Sequence, residues 1–495
     1  MNKILYLPLD ERPCNYDFPG LIIEGSLKSS VVRPPITVMG SKKSPADIEA
    51  VCDFLLKECA DADYLVLALD TLLYGGIIPS RLHHLERDEL LRRLVIIKKL
   101  KEKNPRLYIS AFSLVMRCPC YSDSSEEPDY YAKCGREIFL YGQNEHKRRL
   151  GEITECEYES ERERLTACLG FIDDYERRRA VNLDLLTEAI TMVGKYIDEF
   201  TILQDDSNAR GYTAMDREHV LRVASQRGID LDTYPGADEA GMTLLARAAT
   251  HLADKSPSIY VAFPNERACL TVPVYEDREI CRTISAQIKS AGAKECYTED
   301  EADIVLYCNL NDCCTYDVYF NDVTQADEGY IPEFVVEISE ALSRGKGVAV
   351  ADIAYCNAGD MTFVSELERK GVTFDLWGYA GWNTASNTVG TVICQAVIRY
   401  LYGDTEAHRR FLAHRLMDDA IYSAGVRRGM MYDFGANIDE AVSRDVCDRI
   451  VERINTLTSD ILPSVSSKYE ALACSLPWNR LFEIRLRIEE MCNEA

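Results

Sequence analysis

The order of apolar and polar segments predicts an α/β protein. Its expected core is a (β/α)8 TIM-barrel-like catalytic region with a helical insertion and a helical C-terminal part. Three observations carry this reading. Short apolar runs alternate with amphipathic helical patterns through residues 1–403, the mark of crossover units and a mainly parallel sheet. Nearly every run ends in acidic or amide residues, as loops do on the ligand-binding face of such sheets. The alternation stops over 121–198 and again from 404 on, where only helix-forming sequence is read. The expected division is a catalytic domain at 1–403 containing the insertion 121–198, and a helical domain at 404–495.

The first strand is expected at residues 3–9, followed by Asp10, Glu11 and Arg12. A weaker strand at 31–38 is interrupted by Pro34 and Pro35, which cannot donate to a ladder. Residues 45–59 form a helix with Ala46, Ile48, Val51, Leu55 and Leu56 on its apolar face. The strand at 64–69 ends in Asp70, and a helix over 86–103 is stopped by Asn104-Pro105. The strand at 107–115 leads to Met116 and Arg117. Beyond the insertion, residues 200–203 form a short buried strand that runs into Asp205-Asp206 and a polar loop closed by Gly211. Further strands are expected at 229–234 before Asp238 and Glu239, and at 258–263. Others follow at 303–308 before Asn309 and Asn311, and at 347–351 before Asp352. The last, at 374–379, precedes Trp382, Asn383 and Asn387. These exceed the eight strands of a closed barrel. The competing architecture is two doubly wound domains divided near Ser256-Pro257.

Composition narrows the partners. A net charge of -25 argues against nucleic acid and against anionic membrane. No apolar stretch is long enough to span a bilayer, and the opening residues lack a signal-peptide pattern. The 19 cysteines contain no Cys-x-x-Cys pair, Cys118-Pro-Cys120 and Cys313-Cys314 being the closest spacings. Reduced, mostly buried thiols in a cytoplasmic protein fit this usage. No Gly-x-Gly-x-x-Gly follows the first strand and no Walker-type loop occurs, so no nucleotide cofactor is expected. The seven histidines include no His-x-His or His-Glu-x-x-His, so no zinc is expected. A homo-oligomer is compatible with all of this.

The chemistry is expected where strands end. Adjacent carboxylates such as Asp205 and Asp206 repel one another, which raises at least one of them toward the range of a general acid. The plainer reading makes Asp-Asp a helix N-cap with a solvated neighbour. Asp10, Glu11, Arg12, Asp70, Arg117, Asp238, Glu239, Asp352, Trp382, Asn383 and Asn387 are the expected substrate-binding residues, since strand ends converge on one mouth in a barrel. Carboxylates and amides suit sugar hydroxyls, and Trp382 suits the apolar face of a pyranose. The expected partner is thus a small carbohydrate. Glycoside cleavage needs an acid for the leaving oxygen and a nucleophile, which is a second carboxylate or the substrate's own 2-acetamido group. One alternative is a metal-dependent hydrolase holding a hard cation on Asp10, Asp70, Asp205 and Asp352. Another is a sugar-binding protein without catalysis.

Two resemblances follow from motifs. Leu7-Pro-Leu-Asp-Glu-Arg-Pro-Cys-Asn15, Leu69-Asp-Thr-Leu-Leu-Tyr-Gly-Gly76, Gln204-Asp-Asp206, Pro235-Gly-Ala-Asp-Glu239 and Gly378-Tyr-Ala-Gly-Trp-Asn-Thr-Ala-Ser-Asn387 resemble a bacterial family of unknown function over nearly the whole chain. The strand-Asp-Asp pair with a later Trp-Asn resembles the site of O-GlcNAcase-type glycoside hydrolases. That likeness implies an exo-acting hexosaminidase using substrate assistance. Asp205 would orient the acetamido group, Asp206 would protonate the glycosidic oxygen, and Asn383 and Asn387 would bind hydroxyls. The chain departs from that pattern in three places. The gap from Asp206 to Asn383 is longer, Asp10-Glu-Arg stands where the first strand's characteristic opening would be, and no sugar-binding Asp follows Trp-Asn unless Asn387 replaces it.

Overall fold

In the computed structural model, which describes residues 1–24, 28–310, 316–319 and 329–491, the apolar runs pair into two parallel sheets. The first contains β1 (Asn2–Leu7), β2 (Ser29–Val32), β3 (Tyr64–Ala68), β4 (Tyr108–Val115), β5 (Glu199–Gln204) and β6 (Asp232–Pro235), in the order β2-β1-β3-β4-β5-β6. The following strands are β7 (Ser258–Ala262), β8 (Lys294–Glu295), β9 (Ile304–Asn309), β10 (Tyr316–Asp317), β11 (Gly347–Asp352), β12 (Tyr355–Cys356) and β13 (Gly378–Ala380). β10 and β12 pair with each other, and the rest form a parallel sheet in the order β13-β11-β9-β7-β8. Among the described residues no pairing joins the two sheets. The chain is therefore a mixed α/β protein with parallel sheets, and closure into one barrel is not among these pairings. The sheets divide between β6 and β7, at Ser256-Pro257.

Both sheets are wound alike. Each starts with a central strand, places the second strand on one side, then returns to the other side and builds outward. That is the doubly wound order in which ligands bind beyond the strand carboxyl ends, near the reversal. The strands read as continuous apolar runs because both faces are covered. Leu5, Leu7, Leu65, Leu67, Ile109 and Ile202 face one core, while Ile4, Tyr6, Val66, Phe112 and Leu203 face another. The second core also takes Ile304, Leu306, Ala349, Ala351 and Ala380 from the other sheet. Helices Ala240–Ala253 and Ala385–Tyr402 run through it and pack on each other. Gly390 permits the close approach, since a Cβ there would stand 2.5 Å from Glu239 Cγ and 2.6 Å from Thr243 Oγ1.

The insertion is helical as expected, with helices Tyr131–Arg149, Glu155–Arg164 and Leu169–Met192. It braces the loop after β5: Gly211 N donates to His146 Nδ1 at 3.2 Å, Tyr212 OH donates to Glu176 at 2.7 Å, and Arg179 pairs with buried Asp216. Two expectations need correction. The C-terminal part is not wholly helical, because β14 (Tyr469–Ser475) and β15 (Arg485–Glu490) form an antiparallel hairpin. Its cause is a period of two: Leu486 and Ile488 are buried while Arg487 and Glu489 are exposed. The thiols are also not all reduced, since Cys134 and Cys168 of the insertion form a disulfide with Cα atoms 6.0 Å apart. The expected features at Asn311 and Cys313-Cys314 lie outside the described residues.

The interlobe contact gives a stability prediction. Gly390→Val forces a branched side chain onto Glu239 and Thr243, and overpacking of this kind costs about 1–3 kcal/mol. A lower urea midpoint with an unchanged slope is expected, and an unchanged midpoint would refute the close approach.

Candidate active site

The loop after β5 does not cap a helix. The next helix, Tyr212–Gln226, begins six residues after Asp206 and has Gly211 at its N-cap, with no side chain capping it. Asp205 and Asp206 instead face a cleft of about 480 Å³. Arg81 Nη2 donates to Asp205 Oδ2 at 2.6 Å, and Tyr121 OH donates to Asp206 Oδ2 at 3.0 Å. Arg117 Nη1 lies 3.6 Å from Asp205 and 3.3 Å from Asp206. Burial pushes the Asp205 carboxyl up to about 6; Arg117 and Arg81 oppose that shift and Asp206 adds to it.

The cleft is assembled from three parts of the chain. The first sheet supplies Arg12 after β1, Arg81 beyond β3, Arg117 after β4, the Asp pair after β5 and Asp238 after β6. The second supplies Asn357 and Asn383. The C-terminal part supplies Met431, Asn437, Arg480 and Phe482. At the floor, Arg12 donates from Nε to Asp10 at 2.8 Å and from Nη1 to Asp238 at 3.0 Å. Asn15 Nδ2 donates to Asp10 at 3.0 Å and to Asp238 at 3.1 Å, and Asn383 Nδ2 reaches Asp238 from the other lobe at 3.2 Å. Burial pushes Asp10 up to about 6 against the pull of Arg12.

Backbone geometry marks the same place. Eight described non-glycine residues have φ between 46° and 69°. Lys42, Asp206, Tyr275, Asn357 and Asn383 line the cleft, and Trp478 and Asn479 directly precede Arg480; only Asp254 lies elsewhere. Left-handed backbone outside glycine is uncommon and gathers where a side chain must be aimed, so this clustering points to function.

The expected residues therefore separate. Arg12, Arg117, Asp205, Asp206, Asp238 and Asn383 come together in the cleft. Asp10 lies behind Arg12. Glu11 accepts from Lys42 N at 2.9 Å and from Trp478 Nε1 at 2.7 Å, so it holds the rim. Asp70 is buried and accepts from Ser113 Oγ and Leu114 N at 2.8 and 3.1 Å. Asp352 is buried and accepts from Asn309, Asp360 N and Tyr379 OH. Glu239 is buried under Ala237 N, and Asn387 is buried within helix Ala385–Tyr402. Trp382 lines a smaller neighbouring cavity of about 40 Å³ and meets Phe18 edge-on, with ring centroids 6.1 Å apart. The four aspartates of the metal reading thus hold separate partners. Among the described residues no group of three His, Cys, Asp or Glu side chains is placed to hold a metal ion.

Sequence reading missed Lys42, Arg81, Tyr121, Glu126, Tyr275, Asn357, Tyr319 and Arg480, all of which line the cleft. Glu126 binds three guanidinium groups, Arg81 at 3.1 Å, Arg117 at 3.3 Å and Arg480 at 2.6 Å. Burial opposes the Glu126 charge, but Arg117, Arg480 and Arg81 hold its carboxyl well below the usual range. One signal was available. Trp478 is one of three tryptophans, and it sits in a Pro-Trp-Asn-Arg turn.

The cleft, walled by paired acids and arginines, lies at the strand carboxyl ends of a doubly wound lobe, the place where α/β proteins build small-molecule sites. The chain belongs to the family described as "Protein of unknown function (DUF4127)", whose model matches residues 4–487. The match covers both lobes and the Arg480 turn. No curated protein and no solved structure matches the chain, so the O-GlcNAcase likeness finds no support there. No helix among the described residues is long and apolar enough to cross a membrane.

The buried acids give a pH prediction. Burial pushes the Glu239 carboxyl up to about 8, while an unfolded glutamate titrates near about 4.3. Its stabilisation is then full below about 4.3 and lost as pH rises through about 8. Glu239→Gln cannot ionise, so its thermal midpoint relative to wild type should rise from about pH 5 to about pH 8.5. A difference that stays flat over that window would show that Glu239 is charged in the fold.

Proposed function

We propose that the protein is a glycoside hydrolase, an exo-acting hexosaminidase that removes a terminal 2-acetamido sugar with substrate assistance. The carrying observation is the Asp205–Asp206 pair on the wall of a cleft where left-handed backbone concentrates. The cleft volume is within the about 300–1,000 Å³ of small-ligand sites, which suits a terminal sugar. The reading does not need a closed barrel, because the strand carboxyl ends of the first lobe already converge on the pair.

Geometry favours a division of labour opposite to the one the motif likeness implies. Asp205, half-buried and raised to about 6, is suited to protonate the glycosidic oxygen. Asp206 accepts from Tyr121 and faces Arg117, which suits it to hold and polarise the acetamido N–H. Arg12, Asp238 and Asn383 form the floor that receives hydroxyls. A cytoplasmic setting belongs to this reading and draws on the fourteen free cysteines among the described residues. The non-catalytic binder is the second reading. It is favoured by the pairing of Asp205 with Arg81 and of Asp206 with Arg117 and Tyr121.

A panel of nitrophenyl glycosides tests both. Release is expected from 2-acetamido sugars alone, unaffected by chelator, with kcat/KM falling as pH rises above about 6, where Asp205 loses its proton. Asp205→Asn and Asp206→Asn should each lose about 10²–10⁴-fold. The Asp205→Asn loss should shrink with a dinitrophenyl leaving group, which needs little protonation, and the Asp206→Asn loss should not. The opposite pattern restores the other assignment. Silence across the panel combined with sugar binding that survives Asp206→Asn selects the binder, and loss of activity to chelator selects a metal enzyme.

A further inference from the structure

The rim of the cleft carries a cation with no acid assigned to it. Lys42 lines the cleft, and among the described residues its Nζ has neither a hydrogen-bond nor an ion-pair partner. Its one ring contact is Trp478, 5.8 Å from Nζ to the centroid. Of the acids in that wall that act on Lys42, Glu126 is shared by three arginines and Asp123 accepts from Ser125 N. Burial, and after it the repulsion of Arg480, lowers the affinity of Lys42 for its proton.

The placement is built rather than incidental. Lys42 has φ 47°, a conformation that costs a lysine backbone strain. Glu11 fixes that turn by accepting from Lys42 N at 2.9 Å, and the same Oε1 accepts from Trp478 Nε1 at 2.7 Å. Trp478 and Asn479, at φ 57° and 53°, turn the chain so that Arg480 stacks on the Trp478 ring at 4.4 Å. One carboxylate thus orients a lysine from the first lobe and an arginine-bearing turn from the C-terminal part toward the same opening. Arg480 already pairs with Glu126 at 2.6 Å and Glu483 at 3.1 Å, so the donor open to an added anion is Lys42 Nζ, with Arg480 adding positive field beside it.

We propose that Lys42 and Arg480 form a subsite for an anionic group of the ligand, a carboxylate or phosphate borne by the sugar. This rests on the glycosidase reading for the sugar but not for the anion. The ligand class is then an acidic or phosphorylated saccharide, with its charged group at the rim and its glycosidic bond at Asp205–Asp206.

Calorimetric titration separates the two claims, with glucuronate, glucose 6-phosphate, glucose and inorganic phosphate as probes. The proteins are wild type, Lys42→Met, Lys42→Arg and Lys57→Met, the last removing an exposed lysine as a control for overall charge. Wild type should bind glucuronate or glucose 6-phosphate at least about 10-fold more tightly than glucose, the size of one charge-assisted contact. Whichever of the two binds identifies the source of the charge. Lys42→Met should erase that preference, Lys42→Arg should restore much of it, and Lys57→Met should leave it unchanged. Equal binding of glucose and the anionic sugars, or equal losses in Lys42→Met and Lys57→Met, overturns the subsite and leaves the sugar reading intact. Phosphate bound through Lys42 with no sugar bound keeps the subsite and removes the sugar. No binding of any probe up to about 10 mM overturns the subsite.

Discussion

The guanidinium of Arg12 lies buried between Asp10 and Asp238, with Asn15 and Asn383 completing the ring. It joins the end of β1 to the end of β6, and Asn383 extends the ring to the end of β13 in the other lobe. The Trp478 ring covers it at 4.8 Å, which brings in the C-terminal part. A buried ion pair contributes little net stability, because desolvation offsets most of the attraction, yet removal of one partner leaves an uncompensated charge. Its effect here is registry. Arg12 keeps both its carboxylates within the first lobe, so a slide of the other parts would instead break the bond from Asn383 to Asp238 and lift Trp478 off Arg12.

The other strand-end acids answer a different need. Asp70 accepts from Leu114 N, Asp352 from Asp360 N, and Glu239 from Ala237 N. Each satisfies a backbone donor where a strand gives way to a turn, a group that would otherwise be buried without a partner. Burial pushes these carboxyls up, to about 6, 7 and 8 respectively. An acid at a strand end is therefore ambiguous in this chain. What distinguishes Asp205 and Asp206 is that their loop carries left-handed backbone and opens onto a cleft, and neither property is local to the residue type.

This explains what the sequence disclosed. Most strands, the helical insertion and the Asp pair were legible, because apolar runs, helical periodicity and adjacent charges are local patterns. The grouping of strands into two sheets was less so, since strand order depends on which crossover packs where. The Leu486–Ile488 alternation was visible but too short to outweigh the surrounding helical pattern. Trp382 reads as a sugar platform by composition, yet its Nε1 is spent on Thr391 Oγ1 at 3.2 Å. Arg81, Lys42 and Arg480 sit far from the Asp pair in the chain, and no spacing rule connects them to it.

The family match extends to residue 487, past the turn that holds Trp478 and Arg480. That turn is more than a cover. Arg485 donates to Asp17 and to Glu11 O at 2.7 and 2.6 Å, and Arg480 donates to Glu126 at 2.6 Å, so the C-terminal hairpin is tied to the residues after the first strand and to the start of the insertion. The first lobe supplies the acids, Arg12, Arg81, Arg117 and Lys42, the second adds Asn357 and Asn383, and only the C-terminal part adds Arg480 to the same opening. The cleft is thus a property of the chain's closure: the residues after the first strand supply its floor, those after the fifth its carboxylates, and the C-terminal hairpin turn sets Arg480 beside Lys42 at its rim.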